Sequence, residues 1–419
     1  MAKTTPYLVS LDIGSSKVCA LIAEPNGQGR LDVIGKGTAT HKGARKGAIV
    51  DVTATVDAIK RATEEAEIMA GVQIERAVVG IAGPNVRSFN SRQVVAVAAK
   101  NRVIAKEDIA RSLDAARSCP IPSEFEILHV LPREFVVDGQ DGVSEPLGMV
   151  GSRLEADVHV VTVPVATTQN LLNCVNRAGI EVLEMVLEPL AVGAAVLTQD
   201  EKELGVVLAD IGSGTTEVAV WRQGALAHTS VLPVGGDHFT NDLGVVLKTP
   251  LPDAERMKKK LGSALAALVN EEEMVDVPLT GGRGVHPVKR QEMAAILQPR
   301  AEELLSMIWE EATREVPSVE LRAGLVLTGG GAQLEGLLAC AEQTLGVAVR
   351  RGVPRGLGGL TDVISGPEWA CAAGLLLYGR QTAPPAKPKT KPQEKGLLNK
   401  LLKTPLRDLF HSPAARVTP

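Results

Sequence analysis

The 419-residue sequence predicts an α/β protein of two duplicated domains around a cleft, with a displaced α+β insert in the first half and a disordered linker plus amphipathic helix at the C-terminus. Three observations carry this. First, YLVSLDIGSSKVCALIA (Tyr7–Ala23) and LGVVLADIGSGTTEVAVW (Leu204–Trp221) share one strand–turn–strand pattern, with Asp-Ile-Gly-Ser in register 198 residues apart. Solenoid repeats recur every ~20–50 residues, so this spacing marks a doubled domain. Second, residues 84–163 interrupt the first copy with a block of different patterning. Third, the last 39 residues turn from acidic and apolar to Pro- and Lys-rich.

Taken in order, each repeat is followed by a Gly-containing turn and a further strand, at Leu31–Thr40 and Leu226–Val234. Asp51 is placed to N-cap a helix running to Ala70, with a strand over Ala77–Ala82. The 84–163 block reads as strands around a helix near Lys106–Ser118. A second insert, about 244–321, reads as mostly helical with a hairpin-like turn at Gly281–Gly284. GLVLTGGGA (Gly324–Ala332) and a small-residue helix at Trp369–Tyr378 close the body. QTAPPAKPKTKPQEK (Gln381–Lys395) has four prolines, four lysines and no apolar period, so it is a solvated linker reaching at most ~45 Å.

Composition narrows the function. Hydrophobic residues make up 45% and aromatics only 2%, so the cores must be aliphatic. The net charge of −4 is uneven: from Gln381 onward eight basic residues face two acids, a tail of +6 on a body of −10. An acidic body argues against nucleic acid as a partner, and a basic tail favours an anionic surface. Five widely spaced cysteines without CxxC read as reduced, buried thiols. No signal-peptide pattern and no run of ~18–20 apolar residues is found, so a cytosolic protein that meets a membrane from the side is expected.

The paired turns carry the chemistry. Gly14, Ser15, Ser16 and Lys17 after Asp12, and Gly212, Ser213, Gly214, Thr215 and Thr216 after Asp210, supply close-approaching backbone N–H groups for a phosphate chain. Asp12 and Asp210 would face one another and hold Mg²⁺ through water. A single Asp-x-Gly is no more than a tight turn; two in register with a Gly triplet downstream are far more specific.

DIGSSK, DIGSGTTE and LTGGGA, in that order, resemble the two phosphate motifs and the adenosine motif of the actin, Hsp70 and sugar-kinase superfamily. The resemblance implies an actin-like fold with ATP and Mg²⁺ in the cleft and Gly329, Gly330 and Gly331 at the adenosine. GGDHFTNDL, with Gly236, is similar to the segment after the second phosphate hairpin. AERMKKKLG implies Glu255 at the ribose and Lys258 and Lys259 along the base, although a solvated helix face reads the same way. Glu188 in LEPLAVGAAVL matches the residue that orients the attacking water, and hydrolysis needs such a group in line with the γ-phosphate. Beside Pro189 it also suits a plain helix start.

The insert follows the first βα unit and contains SEPLGMVGSRLEADVHVVTV, which is similar to the FtsA family of bacterial cell-division proteins across residues ~5–380. That resemblance implies a division into 1–83 with 164–195 (1A), 84–163 (1C), 196–243 with 322–380 (2A) and 244–321 (2B). It implies filaments, ATP turnover that is slow at most, recruitment of later division proteins through 84–163, and capture of the FtsZ C-terminal peptide by 2B. Arg290 and Arg300 lie within ~80° on a helix and are candidate partners for that peptide, or a solvated basic edge.

The family likeness extends to the tail at 396–410. Leu397, Leu398, Leu401, Leu402, Leu406, Leu409 and Phe410 share one arc, with Lys400, Lys403 and Arg407 opposite. Pro405 kinks this helix or starts a second one. A helix docked on the body is the bland alternative, weakened by the linker. Membrane attachment would place the chain on the cytoplasmic face of the inner membrane at the division site. The rivals are a PilM-like pilus assembly protein, which needs no basic tail, and a superfamily kinase, for which no substrate-base motif is found. An Hsp70 chaperone would need a β-rich domain after ~380.

Overall fold

A computed structural model describes residues 7–27, 29–282 and 284–382. The linker beyond 382 and the amphipathic segment 396–410 lie outside the described residues.

The first half opens with β1 (Leu8–Ile13), β2 (Lys17–Pro25) and β3 (Leu31–Thr40), a small hairpin of β4 (Ala44–Arg45) and β5 (Ala48–Ile49), and α1 (Val52–Ala70). The Asp51 carboxylate accepts from the Ala54 N–H and caps α1, as its place before an apolar period requires. β6 (Arg76–Ile81) follows. Then β7 (Arg87–Ala96), α2 (Lys106–Arg117), β8 (Phe125–Val137), β9 (Gln140–Val143) and β10 (Arg153–Pro164) form a separate four-stranded sheet ordered β7-β10-β8-β9. The chain re-enters through α3 (Val165–Arg177) and β11 (Glu181–Leu187), then passes α4 (Glu188–Val196) and α5 (Gln199–Leu204).

The second half repeats the plan with β12 (Val206–Ile211), β13 (Thr216–Arg222), β14 (Ala225–Leu232) and α6 (Gly236–Val246). Residues 244–321 carry α7 (Leu251–Leu261), a hairpin of β15 (Met274–Pro278) and β16 (Val285–Lys289), and α8 (Arg290–Glu315). β17 (Leu325–Thr328), α9 (Leu337–Leu345), β18 (Val349–Arg351), β19 (Leu357–Gly359) and α10 (Ala370–Thr382) complete it.

The duplication appears in the topology. The first sheet runs β11-β6-β1-β2-β3-β19, and the second runs β18-β17-β12-β13-β14 in the same sense. In both, the Asp-bearing strand pairs antiparallel with the next strand and parallel with a later one.

Strand alternation then decides what faces what. Val9 and Leu11 of β1 and Val18, Ala20 and Ile22 of β2 face α1 and α3 in one core. Val207, Ala209 and Ile211 of β12 face α6 to α8 in another. The opposite faces, Leu8, Cys19 and Leu21 from the first sheet and Val206, Leu208, Ala219 and Trp221 from the second, meet a shared layer built by α4 and α10. Each fully buried aliphatic side chain there contributes ~1.5–3 kcal/mol, so the layer clamps the two halves together. Period two puts Asp12 on the face of Leu8, and Asp210 with Leu208, so both strand ends deliver a carboxylate to the edge of the shared layer.

Candidate functional site

The two halves enclose a cavity of about 740 Å³ at that edge. Asp12 to Lys17 line it from the first turn, and Asp210, Gly212, Ser213 and Thr215 from the second. Gly236, Glu255, Lys258, Lys259 and the Gly329–Gly331 loop close it on the far side. Nearly all the nucleotide-binding residues expected from sequence therefore converge. Gly214 and Thr216 do not line the cavity: a Cβ on Gly214 would lie 3.1 Å from the Lys46 backbone, and the Thr216 hydroxyl donates to Val234 O at 2.8 Å. Gly214 packs against the 44–49 hairpin of the first half, and Thr216 ties the turn to Val234.

The turns are tight for a stated reason. Gly14 N–H donates to Lys17 O at 3.0 Å and Gly212 N–H to Thr215 O at 2.9 Å. Gly329 (φ 81°, ψ 174°) sits in a region only glycine adopts readily, and a Cβ there would stand 2.1 Å from Asp210 Oδ1. The Gly triplet is therefore pressed onto the second aspartate. The hairpin β4–β5 covers the first turn, with Gly47 N–H donating to Ser15 Oγ at 3.0 Å.

Four carboxyls crowd the inner end: Asp12, Glu188, Asp210 and Glu217. Glu217 was not singled out from sequence. The β12–β13 register pairs it with Asp210, as β1–β2 pairs Asp12 with Cys19, so the duplicated hairpin was the available signal. It is buried and accepts from Thr215 Oγ1 at 2.8 Å. Burial, with Asp12 adding repulsion, pushes its carboxyl up to about 7 despite the Thr215 bond. Burial raises Asp12 to about 6 even though Lys17 pulls the other way. Burial and then neighbouring carboxylates lift Asp210 and Glu188 well above the ordinary range. Lys17 donates to Glu368 O at 2.9 Å and lies 5.3 Å from the Trp369 ring centre.

Glu188 begins α4, with Pro189 in the first turn. Its carboxyl makes no hydrogen bond or ion pair among the described residues. Room for it comes from Gly80 on β6, where a Cβ would stand 3.0 Å from Glu188 Cγ. Cys371, taken from sequence as an inert buried thiol, also lines the cavity beside Asp12 and Glu188.

At the other end, Glu255 is held by Lys258 at 2.6 Å, Lys259 at 3.0 Å and the Thr240 hydroxyl. Partial burial pushes its carboxyl up, but the two lysines and Thr240 outweigh this and bring it to about 2. Lys258 also donates to Gly236 O at 2.8 Å, while Lys259 is exposed. Neither Arg290 nor Arg300 lines the cavity, although Arg290 pairs with Glu335, which does. Arg290 pairs with Glu273 and Glu335, and Arg300 with Asp242 and Glu303.

The residues present fit a hydrated phosphate group and a cation. Among the described residues, Ser213 Oγ is buried in the second turn without a partner, and four acids face a single lysine, Lys17, at the inner end. Ionised together, these acids carry an excess of charge that burial makes costly unless a cation joins them.

Comparison with known proteins agrees with this geometry. The sequence pattern of the family described as Cell division protein FtsA matches residues 207–374, and that of the SHS2 domain inserted in FtsA matches residues 83–162. Cell division protein FtsA of Pseudomonas aeruginosa is 46% identical over 374 residues, 89% of each chain. Among solved structures, the PilM-PilN type IV pilus biogenesis complex superposes with a TM-score of 0.64 at 18% identity, over 89% of this chain and 98% of that one. MreB5 of Spiroplasma citri bound to ADP gives 0.54 at 15%, over 90% and 97%. At such identities these structures establish the actin-like fold alone. Among the described residues no helix is long and apolar enough to cross a membrane.

Proposed function

The chain belongs to the FtsA family of cell-division proteins, and on that premise we propose that it binds Mg·ATP between its lobes, polymerises on the cytoplasmic face of the inner membrane at the division site, and tethers FtsZ there. The observation that carries the nucleotide part is the cavity where both Asp-Ile-Gly-Ser turns and the Gly triplet meet. The division into 1A, 1C, 2A and 2B belongs to the same reading.

Within it, the Gly14–Lys17 and Gly212–Thr215 turns present N–H groups and hydroxyls to the phosphate chain, with Ser213 Oγ gaining the partner it lacks. Asp12 and Asp210 hold Mg²⁺ through water, and the bound cation offsets phosphate charge. Glu217 orients Thr215 through their hydrogen bond. Glu188 has a free carboxyl to align a water for slow hydrolysis. Glu255 stands ready at the sugar, with Lys258 and Lys259 along the base. MreB5, bound to ADP in its structure, shares the fold and supports this choice of ligand.

Later division proteins would dock on the insert, where Phe89, Val94, Leu147 and Val150 are exposed. For the FtsZ peptide, Arg290 and Arg300 are held in ion pairs, so an incoming carboxylate must exchange with Glu273, Glu335 or Asp242. Exposed Leu251, Leu268 and Met274 add apolar contacts on that subdomain. The tail supplies the anchor: a buried Leu or Phe contributes ~1.5–3 kcal/mol and each lysine near an anionic surface ~1 kcal/mol. One tail binds reversibly and an array binds firmly, so filament growth and membrane attachment reinforce each other.

The test is co-sedimentation of FtsZ with anionic liposomes. Full-length protein should carry FtsZ down, and the Leu401→Asp/Leu402→Asp variant should not, because two charges would enter the acyl region. High salt should weaken wild-type binding only in part, since screening leaves the apolar contribution intact. A double-Asp variant that still pellets would place the anchor elsewhere.

A further inference from the structure

The cavity contains one donor that a phosphate–magnesium reading leaves unused, the Cys371 thiol beside Asp12 and Glu188. Asp12 comes from the end of β1, Glu188 from the start of α4 and Cys371 from the first turn of α10. One carboxylate oxygen of each acid and the Cys371 sulfur all lie within 4.8 Å of one another. These are three rigid elements converging from residues far apart in the chain, and α4 and α10 belong to the buried layer between the sheets. We infer that Asp12, Glu188 and Cys371 form a binding site for one thiophilic divalent cation of the zinc class at the inner end of the cleft.

Donor spacing supports a single ion. In a tetrahedral centre, Zn–O and Zn–S bonds of ~2.0–2.3 Å place the ligand atoms roughly 3.3–3.8 Å apart, so donors that already lie within 4.8 Å of one another need draw in by about an ångström at most to share one ion. Three protein ligands leave a fourth position open toward the cavity, as in open zinc centres. The Glu188 carboxyl makes no other hydrogen bond or ion pair among the described residues, and Gly80 leaves space for it. Sulfur decides the selectivity. Mg²⁺ is a hard ion that takes oxygen ligands and keeps its waters, whereas thiolate favours Zn²⁺, Cd²⁺ and Co²⁺. The thiol gives up its proton to solvent as the metal–sulfur bond forms, so binding releases at least one proton per ion. Because Asp12 and Glu188 serve both sites, the soft cation and Mg·ATP should exclude one another. The metal site itself stands without the nucleotide reading, since it is read on the protein alone.

The experiment uses tag-free full-length protein stripped with a chelator and titrated with Co²⁺. The expected result is one equivalent bound with a sulfur-to-cobalt charge-transfer band in the near ultraviolet, bleached on adding Zn²⁺. Cys371→Ser should lose the band. Cys119→Ser, which alters the one half-buried cysteine, should keep it. Glu188→Gln should keep the band with Co²⁺ affinity at least tenfold weaker. No band in the wild type, or a band surviving in Cys371→Ser, overturns the assignment. If Cys371→Ser does not fold, alkylation of Cys371 in the wild type decides: Zn²⁺ should slow it at least tenfold, and an unchanged rate overturns the site. ATP affinity measured separately distinguishes failure here from failure of the nucleotide reading.

Discussion

Replacing Glu217 with Gln should stabilise the nucleotide-free protein at alkaline pH and leave it unchanged in acid. The side chain is 6% exposed and its carboxyl is pushed from the ordinary 4.5 up to about 7, first by burial and then by Asp12. That displacement, at 1.36 kcal/mol per pH unit, amounts to about 3 kcal/mol. The sign follows from where the proton resides. The folded state holds it more tightly than the unfolded state, so wild-type stability is full below about 4.5 and falls as pH rises through about 7. Gln never ionises and keeps an acceptor for Thr215 Oγ1, so the variant avoids that loss. Asp12 and Asp210 share the repulsion, which makes 3 kcal/mol an upper bound and about 1–2 kcal/mol the expected gain at pH 8. Urea unfolding at pH 4 and pH 8, with chelator and without nucleotide, reads this directly. The same stability difference at both pH values would refute the picture of a charge-strained inner end.

Two further outcomes follow from the same geometry. Glu188→Gln should bind ATP as the wild type does while any hydrolysis falls, measured by phosphate release; equal rates would leave Glu188 as a helix-start residue only. Gly329→Ala should cost roughly 1–3 kcal/mol in backbone strain and abolish detectable ATP binding, because its Cβ would meet Asp210 Oδ1 at 2.1 Å. Retained affinity with a stable fold would show that this loop is not pressed against the site.

The parts of the site written as local patterns were legible in the sequence. A strand that ends in Asp followed by small residues announces its turn chemistry within six residues, and two copies reveal the doubled architecture. The Asp51 cap and the helix behind it were equally local. What remained hidden depends on register and on packing between distant segments. Glu217 sits in an apolar strand and gains its meaning from the pairing that sets it across from Asp210. Cys371 looked like one more buried thiol, since nothing local says that α10 runs past the ends of β1 and α4. The hairpin at 44–49 carries no motif of its own, yet it covers the first Asp-Ile-Gly-Ser turn. Arg290 and Arg300 are close in helical angle, but their guanidinium groups are engaged by acids from separate segments.

The claim on which the rest stands is that the cleft binds Mg·ATP through the paired aspartates. Isothermal titration of ATP with Mg²⁺ into the chain ending at Arg380, wild type against Asp210→Ala, tests it most directly. Loss of a metal–water anchor should weaken binding at least tenfold, about 1.4 kcal/mol, with the far-ultraviolet spectrum unchanged. Equal affinity in the two folded proteins would contradict the claim.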